Sequence, residues 1–488
     1  MTRTPTLATI RGPLRRAANA FPVVLTSLAF CLLVTATSSA EVPYSPALIR
    51  DVPHVRQKTD FCGEACVEMV LRKAGFSMDQ DFVFDSSELD PSLCRGCYTP
   101  DLARAMKRIG FDAGAVWYSL GSDPTTNIES QWKALHSDLV KGVPSIVCTH
   151  FNGEPGAPEH FRLILGYDPT GDEVIYHDPA LDKGSYLHMK RDQFLRLWPL
   201  RDGGAGQMVV RFRCRAVAVT NAVPPRGFTS ADYAQHLMAM KKKGMLKGLT
   251  VVVEAPFVVL GDEPPDTVRF HAERTVQWAV KMLKQDYFRK NPAEIIDIWL
   301  FKDRASYESN TRELLHETPT TPFGFYSESN RALIMNIATG GGTLVHEIVH
   351  PFIRANFPDC PAWFNEGLGS LYEQSAERDG HIVGLTNWRL SGLQKRIAER
   401  GLPSFPALLK TSSGEFYSSN RGDNYAQARY LCYYLQERGL LVGFYRGFLA
   451  SRADDPSGLQ TLKKVLGEDD MDAFRRKWEA FVMKLTFP

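Results

Sequence analysis

Thr343 to Glu373, TLVHEIVHPFIRANFPDCPAWFNEGLGSLYE, constrains this chain more than any other stretch, and within it the five residues His346 to His350 do most of the constraining. Residues four apart on an α-helix lie one above the other, so His346 and His350 can aim two imidazoles at a single point. Such a pair grips a metal ion, and Glu347 between them can take a proton from a metal-bound water without coordinating. Zinc suits imidazole and carboxylate, and a hydrolytic site keeps three protein ligands and one open position. A third ligand is therefore required. Glu366, in the run Trp363-Phe364-Asn365-Glu366-Gly367, is placed to supply it. Asp359 can cap a new helix with Pro361 in its first turn, and Trp363, Phe364, Leu368, Leu371 and Tyr372 give that helix apolar faces. Small Gly367 and Gly369 would let the two antiparallel helices approach closely. Pro351 directly follows the second histidine, and its missing N–H is expected to kink or end the first helix at a cost of about 3 kcal/mol, just beyond the ligand turn.

Here the chain resembles the gluzincin metallopeptidases, zinc proteases in which H-E-x-x-H is followed by a helix carrying a ligand glutamate, often within N-E-G. The resemblance implies one zinc ion held by His346, His350 and Glu366, with Glu347 as the base. Tyr425, opening the run Tyr425-Ala426-Gln427-Ala428-Arg429-Tyr430-Leu431, resembles the tyrosine segment of the aminopeptidase branch. The resemblance implies that its hydroxyl supports the oxyanion, with Tyr430 as the alternative. Ser370 stands where some gluzincins place an acid that orients a ligand histidine, so that support is expected from elsewhere.

A second constellation lies upstream. Gln57 precedes Phe61-Cys62-Gly63-Glu64-Ala65-Cys66, and the apolar spacing that follows, ending at Gly75, puts Cys62 at a helix N-terminus, where partial positive charge favours thiolate. A cysteine nucleophile also needs a base and an orienting acid. His160 opens Phe161-Arg162-Leu163-Ile164-Leu165-Gly166 and Asp178 closes Val174-Ile175-Tyr176-His177-Asp178, two strand-like runs joined by the turn residues Asp168-Pro169-Thr170-Gly171-Asp172. In a hairpin the start of the first strand lies beside the end of the second, so His160 and Asp178 meet. His177 and Asp168 are rival assignments. The region from Glu41 to about Ala222 resembles the double-glycine leader peptidases, papain-like cysteine peptidases attached to bacteriocin exporters, and their free-standing relatives. That implies Cys62 as nucleophile, His160 as base, Asp178 as its orienter and Gln57 as the side-chain donor to the oxyanion. Cys66 would be a helix-packing residue.

The remaining chain fits these two halves. With 57 Lys and Arg against 55 Asp and Glu, a net charge of +2, nothing argues for a nucleic-acid partner. Four early arginines, an apolar run from Phe21 to Ala36 and small residues to Ala40 have the layout of a secretory signal, residues 1–40, with an uncleaved membrane anchor as the alternative. No later segment is apolar enough to cross a membrane. Export, to the periplasm or the medium, would let the cysteines oxidise, and Cys94-Arg95-Gly96-Cys97 is expected to form a local disulfide or a bridge to Cys66. Residues 223–227, rich in Pro and Gly, read as a linker. The fold expected is α+β: a papain-like domain over 41–222, then a gluzincin-type domain over 228–488. In the second, Ala332 to Ile337 reads as a strand, and the resemblance to gluzincins implies that it forms an exposed edge below the catalytic helix, to which a peptide adds as a further strand; a helical lobe is expected to close the chain. The expected activity is hydrolysis of peptides or proteins. The alternatives are a cysteine peptidase with a structural zinc domain, and a non-catalytic envelope protein that binds peptides.

Overall fold

The computed structural model describes residues 44–201, 203–204, 206–221, 227–319, 321–418 and 421–487. The expected signal segment and all but one residue of the expected linker lie outside these. No described helix is long and apolar enough to cross a membrane.

In the first half, Cys62–Lys73 forms a helix whose Ala65, Cys66, Val67 and Met69 are buried, and these pack on the apolar face of an antiparallel sheet. The sheet order is 116–119, 207–213, 145–150, 159–168, 173–177, 187–190. The expected hairpin is present: Glu159–Asp168 pairs antiparallel with Glu173–His177, with a register shift between Ile164 and Gly166. Alternation along the first of these strands sends Phe161, Leu163 and Leu165 into the core under the helix, whereas His160 and Arg162 face the other way.

The second half contains a mixed sheet in the order 250–254, 257–261, 296–301, 332–336, 324–327. Ala332–Asn336 is therefore not the edge. All five of its residues are buried, and Gly324–Ser327 pairs antiparallel outside it. The reason is local: the chain doubles back through residues 328–331 before entering the interior strand, so the earlier strand takes the outer place. Gly324–Ser327 runs beside the helix Gly342–Asn356, and Arg354 donates from its guanidinium to the Tyr326 hydroxyl at 3.1 Å. The spacing of Val268 to Phe288 predicts a helix with Phe270, Val276, Ala279, Met282 and Leu283 on its apolar face; residues Pro265 to Asp286 are helical with a π-helical turn at Ala272–Gln277, and Phe270 is 57 % exposed while the other four are buried. The closing lobe is helical. Phe474, Trp478 and Val482 of its last helix are buried.

Residues from Ser45 onward pack as one compact unit. The helix Ser230–Lys242 explains why: Ala231, Ala234 and Met238 belong to the first core, while Tyr233, Leu237 and Met240 pack with the second sheet. Polar contacts repeat the pattern. Asp85 accepts from the Ala231 N–H at 2.8 Å on one side, and His236 Nε2 meets Asp297 Oδ1 at 2.8 Å on the other.

Candidate functional site

The candidate metal centre is built by two helices. Gly342–Asn356 carries His346, Glu347 and His350 and runs on through Pro351 without ending there. Buried neighbours Val349, Phe352 and Ile353 hold the helix across the missing hydrogen bond, so packing outweighs the proline penalty. Ala362–Leu371 carries Glu366. Pro361 occupies its N-cap with no side-chain cap, so Asp359 does not cap it. Gly369 is where this helix meets the first: a Cβ there would stand 3.3 Å from three atoms of the His346 ring. Gly367 serves a different contact. Its Cβ would lie 3.0 Å from the Ala428 carbonyl oxygen, on the helix Arg421–Glu437.

His346, His350 and Glu366 each place one ligand atom within 4.8 Å of the others. Glu366 Oε2 lies 3.2 Å from His346 Nε2 and 3.9 Å from His350 Nε2, and it is buried without a hydrogen-bond partner. Two imidazole nitrogens and one carboxylate oxygen converging on one point, with that oxygen otherwise unsatisfied, fit a divalent cation. His350 and Glu366 are held at their other ends, whereas His346 Nδ1 is buried without a hydrogen bond and faces a carboxylate. Asn365 Oδ1 stands 2.9 Å from His350 Nδ1, Glu373 Oε1 stands 3.4 Å from His346 Nδ1, and the Tyr417 hydroxyl donates to Glu366 Oε1 at 2.7 Å. Glu373 in turn accepts from Arg389 at 3.0 and 2.7 Å and from Asn387 at 2.9 Å. Burial opposes charge on Glu366, but His350, His346 and Tyr417 overcome it and hold the carboxyl down at about 2. Glu347 is half-buried between the histidines.

Tyr425 is nearly buried, with its ring 6.4 Å from that of Tyr417, and burial together with the Glu366 charge pushes its phenol upward. Both tyrosines therefore border Glu366. Tyr430 does not: it is fully buried, and its hydroxyl accepts from the Asn387 N–H at 3.1 Å. Sequence reasoning missed Tyr417 and Glu373. Glu373 lies seven residues beyond Glu366, about two helical turns along the same face, which is a readable signal; Tyr417 has none.

The thiol centre lies at the N-terminal end of Cys62–Lys73. Cys62, His160 and Gln57 line one cleft of about 830 Å³, together with Phe151 and Trp117. His160 Nε2 is 2.7 Å from Asp178 Oδ1, which leaves Nδ1 as the proton acceptor when Nε2 donates. Gln57 is anchored by its backbone N–H to the Pro179 carbonyl at 2.9 Å, and its Oε1 is buried without a partner. Burial acts against the thiolate expected at the helix terminus. Burial pushes the Cys62 thiol up to about 12; the Phe161 N–H pulls the other way, and the Glu64 charge adds to the rise. The surrounding low dielectric outweighs the helix terminus.

The rival assignments are not brought to Cys62. His177 is buried between the rings of His54 and Tyr186, at 5.7 and 4.5 Å, and burial lowers it to about 4. Asp168 ends the strand that His160 begins. The eight cysteines among the described residues are all free thiols, contrary to the expected bridge. Cys97 points into the core, and Cys94 closes a 3₁₀ turn in the left-handed region, its thiol donating to the Ser92 carbonyl at 3.2 Å.

Residues 49–205 match the model of the Peptidase_C39-like family, a span that holds Cys62, His160, Asp178 and Gln57. No curated protein matches the chain. The first half is thus cysteine-peptidase-like, and the match supports a hydrolase acting on peptides or proteins.

Proposed function

We propose that the chain is an exported zinc-dependent peptidase carrying a second, thiol-dependent centre. The observation that carries the reading is the convergence of His346, His350 and Glu366 with Glu366 Oε2 left unsatisfied at the point they share. Zinc, which His346, His350 and Glu366 would hold, would supply Lewis acidity toward water and the scissile carbonyl. Glu347, partly exposed beside the ligands, accepts the proton of the attacking water and passes it to the leaving amine. Tyr425 donates to the developing oxyanion, and Tyr417 keeps Glu366 in place. An extended substrate backbone adds to the free edge of Gly324–Ser327, so main-chain hydrogen bonds rather than one side chain give affinity.

Glu347→Gln tests this. The variant should bind zinc as wild type does and lose peptide hydrolysis by about 100-fold or more. Unchanged hydrolysis would sink the metal mechanism.

The family match over residues 49–205 favours a second reading, in which Cys62 is the main catalyst and the metal helices are structural. A peptide-library digest run separately with a chelator and with a thiol blocker separates the two. Chelator-sensitive cleavage supports the first; chelator-resistant, alkylation-sensitive cleavage supports the second.

A further inference from the structure

Arg162 is one of the most completely engaged side chains near Cys62. It is 5 % exposed, and its guanidinium reaches four separate acceptors. Nε donates to Asp178 Oδ2 at 3.0 Å; one terminal nitrogen donates to the Thr149 hydroxyl and to the His150 carbonyl at 3.2 Å; the other donates to the Phe151 carbonyl at 2.8 Å. Asp178 Oδ1 meanwhile accepts from His160 Nε2 at 2.7 Å and from the Ala180 N–H at 2.9 Å. Both carboxylate oxygens are therefore occupied, and rotation of the carboxylate would break a bond on each side. Phe151, whose carbonyl Arg162 holds, also lines the cleft and meets the His160 ring edge-on at 5.3 Å.

A buried guanidinium is a weak source of stability, because desolvation offsets most of its attraction to a carboxylate. Its place is better explained by what it aims. We propose that Arg162 is a positioning residue of the thiol centre, fixing the Asp178 carboxylate against His160 and supplying a permanent cation to the field around Cys62. The inference rests on reading Cys62, His160 and Asp178 as nucleophile, base and orienting acid. The charge of Arg162 favours the charged forms of Cys66, on the helix that Cys62 opens, and of Cys148, which lines the same cleft. Other charged or titratable groups packed around the triad are His54, whose Nε2 contacts the Asp178 carbonyl at 2.9 Å, Glu64 on the Cys62 helix, Tyr176 and His177 on the strand before Asp178, His150, and Glu159. Asp60, Arg95, Arg201 and Lys241 line the same cleft, but of the cations around it only Arg162 is buried and bonded to the Asp178 carboxylate.

The test is the pH dependence of iodoacetamide labelling at Cys62 in the full chain, read by mass spectrometry of the Cys62 peptide. Wild type should show a labelling inflection that His160→Ala abolishes. Removing a nearby cation raises the proton affinity of His160 and Cys62 alike, so Arg162→Met should move that inflection up by about one pH unit. Arg162→Lys, which keeps the charge, should leave it within a few tenths. If Arg162→Met does not fold, judged by circular dichroism, Arg162→Gln retains a donor for Asp178 Oδ2 without the charge and should give the same upward shift. A His160-dependent inflection that stays put in the neutral variant while melting temperature falls makes Arg162 merely structural and overturns the proposal. So does an Arg162→Lys shift as large as that of the neutral variant. An inflection indifferent to His160→Ala would instead remove the thiol-centre reading, and this proposal with it.

Discussion

Glu373 Oε1 stands 3.4 Å from His346 Nδ1, while the same carboxylate is clamped by Arg389 through both of its oxygens. The helix Ala362–Leu371 thus delivers one carboxylate to the Nε2 side of His346 and, two residues past its end, a second to the Nδ1 side. Ser370, where an orienting acid was sought, is buried and its hydroxyl has no partner. Glu373→Gln should weaken zinc binding by about 10- to 100-fold in a chelator-competition titration, because the ring loses the group that fixes its orientation and basicity. Ser370→Ala should leave affinity unchanged. Equal affinity in all three proteins would refute the role given to Glu373.

The two glycines of the ligand helix should separate metal affinity from stability. Gly369→Ala puts a methyl group 3.3 Å from the His346 ring, so it should lower zinc affinity with little change in the melting temperature of the metal-free protein. Gly367→Ala presses instead on the Ala428 carbonyl at 3.0 Å, and should cost about 1–3 kcal/mol of stability through overpacking. Thermal melts with and without chelator distinguish the two; the opposite assignment would contradict the packing described above.

Tyr417 and Tyr425 border the same carboxylate but should fail differently. Tyr417→Phe removes the donor that holds Glu366 Oε1 at 2.7 Å and is expected to weaken zinc binding several-fold. Tyr425→Phe should keep the metal and lower kcat with KM nearly unchanged, since its donor is needed only as charge develops. Reduced metal content in Tyr425→Phe and a pure kcat effect in Tyr417→Phe would reverse the two roles.

Glu64 carries a pH signature. It is fully buried, accepts from the Cys97 N–H at 2.7 Å, and burial raises its carboxyl to about 7. Because the folded value lies above the unfolded one, its contribution is intact below pH 4.5 and is lost as pH rises to 7. Glu64→Gln removes a charge that must otherwise be buried, and should stabilise the protein at pH 8 by up to about 3 kcal/mol and far less at pH 5. Denaturant melts at the two pH values check this. A variant destabilised equally at both would show that Glu64 is held as a neutral hydrogen-bonding group with no ionisation penalty.

Much of both centres was legible because the relevant spacing is short. Helical period places His346 and His350 on one face, and antiparallel pairing places His160 near Asp178; each follows from local backbone geometry. What stayed hidden depended on contacts between segments remote in sequence. Tyr417 reaches Glu366 across 51 residues and Arg389 reaches Glu373 across 16, and neither lies in a recurring pattern. That Ala332–Asn336 is an interior strand and not the expected edge was hidden for the same reason. A buried run such as Ala332–Asn336 states that it is covered, but not by what.

The amino-acid order by itself determined which side chains could act: two imidazoles one turn apart, a carboxylate on the next helix, and a cysteine ahead of an apolar helical stripe. Only the tertiary structure decided their state. Whether Cys62 rests as thiol or thiolate, and whether the metal ligands are braced, turns on how much low-dielectric protein and how many fixed charges surround each group. Those surroundings are assembled from distant parts of the chain. Folding sums them at one point, where no local pattern records the total.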